Sequence, residues 1–181
     1  MTPAVVLIIG AFIASAACGR TDDSLAAGGG GAVRADWGVV LPEEEQAKLL
    51  TACSRPTPPG LTGRWSPGRA DIDRLERRLP SVLQAALARV VLEKDEARPL
   101  PADYYRQYGA FHRGGRRVIY VNGLHRRFVD MRESRSWTRN PMGLCDGGLI
   151  GFGVVYDVDA DTFDGVEFDG RYSGPVKTRW F

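Results

Sequence analysis

Two histidines, three cysteines and a cluster of aspartates are the residues whose types and spacing offer this chain chemistry. His112 and His125 are the only imidazoles, so a three-histidine zinc site is excluded and a histidine-pair site needs both. Asp157-x-Asp159-x-Asp161 has the spacing that opens a calcium loop. Such a loop wants Gly at its sixth position and an acid at its twelfth, where this chain has Thr162 and Phe168. A turn whose Asp side chains bond nearby backbone groups is the stronger reading. Cys145, ahead of Asp146-Gly147-Gly148, has the setting of a nucleophile in a Gly-rich turn, but Cys53 is available to oxidise with it. No Gly-x-Ser-x-Gly elbow is present. The residues therefore predict no catalytic set, no metal site and no cofactor.

Arginine is the other chemical signal. Arg106, Arg113, Arg116, Arg117, Arg126, Arg127, Arg132, Arg135 and Arg139 fall in one stretch, opposed mainly by Asp130 and Glu133. From Asn140 to Gly170 the sign reverses, with Asp146, Asp157, Asp159, Asp161, Asp164, Glu167 and Asp169 and no Lys or Arg. If two hairpins lie side by side, many of these charges answer one another across strands. The functional alternative is a partner-binding surface of Arg126, Arg127, Arg132, Arg135, Trp137 and Arg139, because Arg and Trp are favoured interface anchors. Nucleic acid is not expected, since the formal net charge is only +2.

At the N-terminus, Ala4 to Ala17 is apolar or small, too short for a membrane span but the size of a signal-peptide core. Small residues lead directly into Cys18 and a Gly-rich stretch follows. This segment resembles a bacterial lipoprotein signal, which implies cleavage after residue 17 and a lipid on Cys18. Ser15 stands where that family usually has Leu, and no Lys or Arg precedes the apolar run. Ordinary secretion competes, because Ala14-Ser15-Ala16 also satisfies the small-x-small cleavage rule. The expected organisation is a signal peptide over 1–17, lipidated Cys18 with a flexible tether over 18–36, and one domain over 37–181. If Cys18 carries lipid, Cys53 and Cys145 remain as a pair in a compartment that permits disulfides; two free buried thiols are the alternative.

The elements that must position these residues are legible in outline. Leu41 to Leu50 reads as a short helix with acids in its first turn, ending near Cys53. Ile72, Leu75, Leu79, Val82, Leu83, Ala86, Leu87 and Val90 form one apolar stripe of a long helix, with a kink or restart expected at Pro80. Tyr104 to Arg113 and Arg116 to Asn122 flank Gly114-Gly115 as a β-hairpin. A long polar loop is expected from Gly123 to Gly148, then a strand over Leu149–Tyr156, a turn at Asp157–Asp161 and a return over Phe163–Phe168. These imply an α+β domain: an antiparallel sheet of about four to five strands with one main helix on a face, a cystatin-like roll by analogy.

Within the domain, Trp65-x-Pro67, Asp71-Ile72-x-x-Leu75-Glu76-x-x-Leu79-Pro80, Tyr105-Arg106-Gln107-Tyr108, Arg116 to Asn122 and Cys145-Asp146-Gly147-Gly148 resemble a group of uncharacterised proteobacterial envelope proteins. That resemblance implies a fold and no activity. The functional expectation is a non-enzymatic envelope lipoprotein facing the periplasm, anchored to the membrane by its lipid, that binds a protein or envelope ligand, for instance as an inhibitor or immunity protein. One alternative is an envelope hydrolase on cell-wall or lipid material, with Tyr108, His112 and His125 lining a cleft. Another is a structural accessory of an envelope assembly.

Overall fold

The computed structural model describes residues 33–34, 37–51, 53, 55–92, 97–131 and 135–170, with backbone alone at 33–34 and 135. Cys18, the segment expected to be a signal peptide and nearly all of the expected tether lie outside them, as do Arg132 and the side chain of Arg135. Strands β1 (Val33–Arg34) and β2 (Gly38–Val40) precede a single turn, α1 (Glu43–Gln46), which tightens to a 3-10 helix over Ala47–Thr51. Strand β3 (Leu61–Thr62) leads to the long helix α2 (Arg69–Ala88). The long strands β4 (Tyr104–Arg113) and β5 (Arg116–His125) follow, then α3 (Arg126–Met131) and a 3-10 turn over Arg135–Thr138. Strands β6 (Gly148–Asp157), β7 (Thr162–Phe163) and β8 (Glu167–Asp169) complete the order.

Local chemistry accounts for most of these elements. Glu43, Glu44 and Glu45 occupy the first turn of α1, where carboxylates meet the positive end of the helix dipole. In α2 the Gly68 N–H donates to Asp71 Oδ2 at 3.0 Å, holding the first turn. The stripe Ile72, Leu75, Leu79, Leu83 and Leu87 is buried, and each side chain contributes about 1.5–3 kcal/mol of transfer free energy. Gly114 and Gly115 have φ of 58° and 79°, the positive pair that a two-residue hairpin turn requires. Arg113 therefore pairs with Arg116, and the ladder runs out to Tyr104 opposite His125.

Strands β4, β5 and β6 are antiparallel neighbours at the centre of one open sheet. The free edge of β4 is covered by β2 and β3, and that of β6 by β7 and β8. Helix α2 lies on the face of Tyr104, Tyr108, Ala110, Ile119, Val121, Phe152, Val154 and Tyr156. The opposite face packs Phe111, Val118, Tyr120 and Val155 against Val39, Leu41 and Leu49. Every residue of β6 is buried, because both faces of the sheet are covered.

The α+β class stands, with three corrections of detail. The sheet is mixed, since β2 runs parallel to β4, and it has eight strand segments. Pro80 does not interrupt α2; it lies within the helix at an exposed position, off the buried stripe. The expected loop from Gly123 holds the last three residues of β5 and all of α3. Phe128 and Val129 supply the reason, since they bury against Leu124 and Ile150.

Candidate functional site

The face opposite α2 carries polar side chains at the centre of its strands. Gln107 on β4 and Asn122 on β5 stand directly opposite in register and are buried. Asn122 Nδ2 donates to Gln107 Oε1 at 2.9 Å and to the Met142 carbonyl at 2.8 Å. Gln107 Nε2 donates to the carbonyls of Trp137 and Asn140 at 2.6 and 2.7 Å, so the pair staples the 137–142 segment onto the sheet. Arg55 enters the same layer. Its Nη2 donates to Asn122 Oδ1 at 2.5 Å, and its Nη1 lies 2.9 Å from Asp169 Oδ1. Both side chains of that ion pair are 2 % exposed. Burial pushes the Tyr120 phenol above its ordinary value, with Arg55 pulling the other way.

Two cavities, of about 180 and 460 Å³, border Arg55. Neither presents a free charge from it, because Asp169 already answers the guanidinium. The Cys53–Cys145 disulfide forms beside this layer, with its Cα atoms 5.4 Å apart, joining the segment after α1 to the one before β6. Arg55 and the disulfide together clamp the cover onto the sheet.

A third cavity differs in kind. It lies at the end of the β4–β5 ladder, has a volume of about 320 Å³, and is lined by Ala97, Arg98, Pro99, Asp103, His125, Arg126 and Arg127. His125 and Arg126 arrive there because β5 ends and α3 begins at that junction. Asp103 closes the turn before β4: its Oδ2 accepts the Leu100 N–H at 2.8 Å, and its Oδ1 lies 3.4 Å from Arg126 Nη2. Arg98 Nη2 donates to the Val90 carbonyl at 3.0 Å. His125 is buried, sits edge-on to Tyr104, and accepts the Arg127 N–H on Nδ1 at 3.3 Å. Desolvation holds its imidazole below the usual value; Asp103 opposes this, and Arg127 and Arg126 reinforce it.

The residues named from sequence scatter. Trp137 is half-buried, stacks on Tyr105 with centroids 4.7 Å apart and packs against two core clusters. Arg126 lies over the Trp37 ring and beside Asp103, Arg127 is exposed at the cleft, and Arg139 is exposed at the end of the 3-10 turn. Tyr108 donates to Glu76 Oε1 at 2.5 Å on the α2 face. His112 pairs with Arg117, eight positions along β4 from the Tyr104–His125 pair, or roughly 27 Å. One cleft cannot hold both histidines.

Charge pairing across the hairpins is extensive. Arg113 meets Asp164 at 2.5 Å, Arg116 meets Asp157 at 3.1 Å, Arg117 meets Asp159 at 2.8 Å and Arg78 meets Asp161 at 2.7 Å. Asp157 Oδ1 also accepts the N–H groups of Asp159 and Ala160, the bonding of a turn. Sequence reasoning missed Arg55, Asn122, Gln107, Asp169, Arg98 and Asp103. Asn122 and Gln107 sit inside strand patterns that signal only burial. The chain matches no protein-family model, no curated protein and no solved structure.

Proposed function

We propose that this chain is a non-enzymatic binding module of the bacterial cell envelope, exported and held at a membrane by a lipid on Cys18, with the Arg98–His125–Arg127 cleft as its binding face. The observation that carries the reading is how the basic residues divide. Those near the β4–β5 turn pair with Asp157, Asp159 and Asp164, whereas Arg98, Arg126 and Arg127 gather in one cleft whose described lining also holds Asp103. Guanidinium groups gathered around one cleft suit recognition of an anion. The candidates for acid–base or nucleophilic work are spent elsewhere: Cys53 and Cys145 bond each other, and His125 Nδ1 accepts a backbone N–H. The disulfide supports an oxidising compartment and leaves Cys18 as the odd cysteine.

Mass analysis of the mature chain tests the anchor. A diacylglyceryl group on an N-terminal Cys18 is expected; an unmodified Cys18 or an Ala17 terminus overturns it. The binding face is tested by Arg126→Ala with Arg127→Ala, which should abolish ligand recognition while leaving thermal unfolding unchanged within about 0.5 kcal/mol.

A further inference from the structure

Two links hold the cover over the Gln107–Asn122 layer, and they differ in access. The Arg55–Asp169 ion pair is withdrawn from water. Cys53 and Cys145, by contrast, are both exposed. A disulfide breaks when a thiolate attacks one of its sulfurs, so access decides whether a dissolved dithiol can open it. Exposed disulfides tend to be the labile, regulatory ones.

The cavity of about 460 Å³ lies between the two segments that this bond joins. Thr51 and Cys53 line one wall, Met142 and Gly143 line the other, and Asn122 contributes from the sheet. Cys53 is at once exposed and part of the lining, so the bond crosses the rim. Each wall also has its own hold on the sheet. On the first, Gln46 Oε1 accepts the Ala110 N–H at 2.9 Å, Leu49 is buried, and Arg55 donates to Asn122. On the second, the Met142 N–H donates to Gln107 Oε1 at 2.9 Å, and its carbonyl accepts from Asn122 Nδ2. Thr51 and Cys53 fall between the holds at Leu49 and Arg55, and Gly143 and Cys145 fall between Met142 and β6. Breaking the bond therefore releases the rim and leaves both walls seated. A Cβ on Gly143 would meet nothing within 4 Å among the described residues, so the second rim has room to move.

We propose that Cys53–Cys145 is a thiol–disulfide exchange site, a strap across the cavity that a Cys-x-x-Cys dithiol protein opens and its oxidised form closes. A thiolate of the partner attacks one sulfur, forming a mixed disulfide and expelling the other cysteine as a thiolate, which takes up a proton. The partner's second thiol gives up its proton and attacks the mixed disulfide, which frees the remaining cysteine to take a proton in turn. The pair gains two electrons and two protons, and the partner leaves as its own disulfide. Closure runs the same steps in reverse. The strap is independent of the lipid anchor and of the Arg98–His125–Arg127 cleft.

The oxidised chain from residue 18 onward, carrying Cys18→Ser to remove the odd thiol, tests this. It is incubated without denaturant with reduced thioredoxin, then with iodoacetamide. Both cysteines should be alkylated, and a thioredoxin with Cys-x-x-Ser should be trapped as a mixed disulfide on Cys53 or Cys145. Amide exchange at Thr51, Cys53 and Gly143 should quicken by about tenfold, while β4, β5 and β6 keep their protection. Oxidised protein disulfide isomerase should restore the bond and the slower exchange. The variant with Cys53→Ala and Cys145→Ala should show the quickened exchange with no reductant present. A bond that yields only in denaturant overturns the proposal. So does loss of protection throughout the sheet, on reduction or in the double variant, because the bond would then be a brace of the whole fold.

Discussion

Arg55 shows how one side chain can decide the stability of a face. Its guanidinium and the Asp169 carboxylate are withdrawn from water together, so each depends on the other. Removing one partner leaves a buried, uncompensated charge and should cost about 3–5 kcal/mol, whereas replacing both by apolar residues of similar volume should recover much of that loss. Urea unfolding of Arg55→Met, Asp169→Leu and the double variant measures this; additive losses would refute the coupling. His125 makes a second residue-scale case, with the opposite charge preference. Burial disfavours its imidazolium, and its neutral Nδ1 accepts the Arg127 N–H. Its folded value therefore lies below the unfolded 6.5, so the unfolded chain binds the proton first. Stability should fall as pH drops through the unfolded value toward the lower folded one, then level off below it. The His125→Gln variant should flatten that slope in urea midpoints measured across the range, and an unchanged slope would count against the assignment. His125 was named in sequence as a cleft residue, but Arg55 was not legible: it finds Asn122 across 67 positions, a separation at which no local pattern operates.

Elements with their own periodicity were readable, and those made by distant partners were not. The α2 stripe, the Gly114-Gly115 turn and the β6 alternation each carry a local signal, and each stands where that signal places it. The parallel pairing of β2 with β4 joins segments nearly seventy positions apart and leaves no trace in either. Helix α3 was hidden because it is short and begins with two arginines, so its buried Phe128 and Val129 were too few to show a period. The disulfide is the covalent form of such distant pairing. It spans 92 positions, and in the chain-entropy view it restricts the unfolded state by about 4–5 kcal/mol. Reduction, or Cys53→Ser with Cys145→Ser, should lower the unfolding free energy by up to that amount, measured against the oxidised chain. Gly151 offers a finer probe of the same cover. A Cβ there would collide with the Asp169 carboxylate. The Gly151→Ala variant should therefore displace Asp169 from Arg55 and destabilise the fold, and much less so when Asp169→Ala removes the obstacle.

At the scale of the whole molecule, the β4–β5 hairpin is a ruler. Ten paired positions separate the Gly114-Gly115 turn from the cleft end, where Tyr104 meets His125, or about 30 Å of sheet. The chain toward Cys18 does not leave from the cleft end: β1 runs antiparallel to β2, so Val33 stands opposite Val39, which pairs with Gln107 three positions from Tyr104. A lipid anchor attached there favours neither end of the ladder. A donor fluorophore at Gly115 or at Met131 in the lipidated chain should therefore transfer about equally to an acceptor in the vesicle headgroups. Much stronger transfer from one end would show that a face of the domain itself contacts the bilayer, and that the anchor alone does not set its orientation.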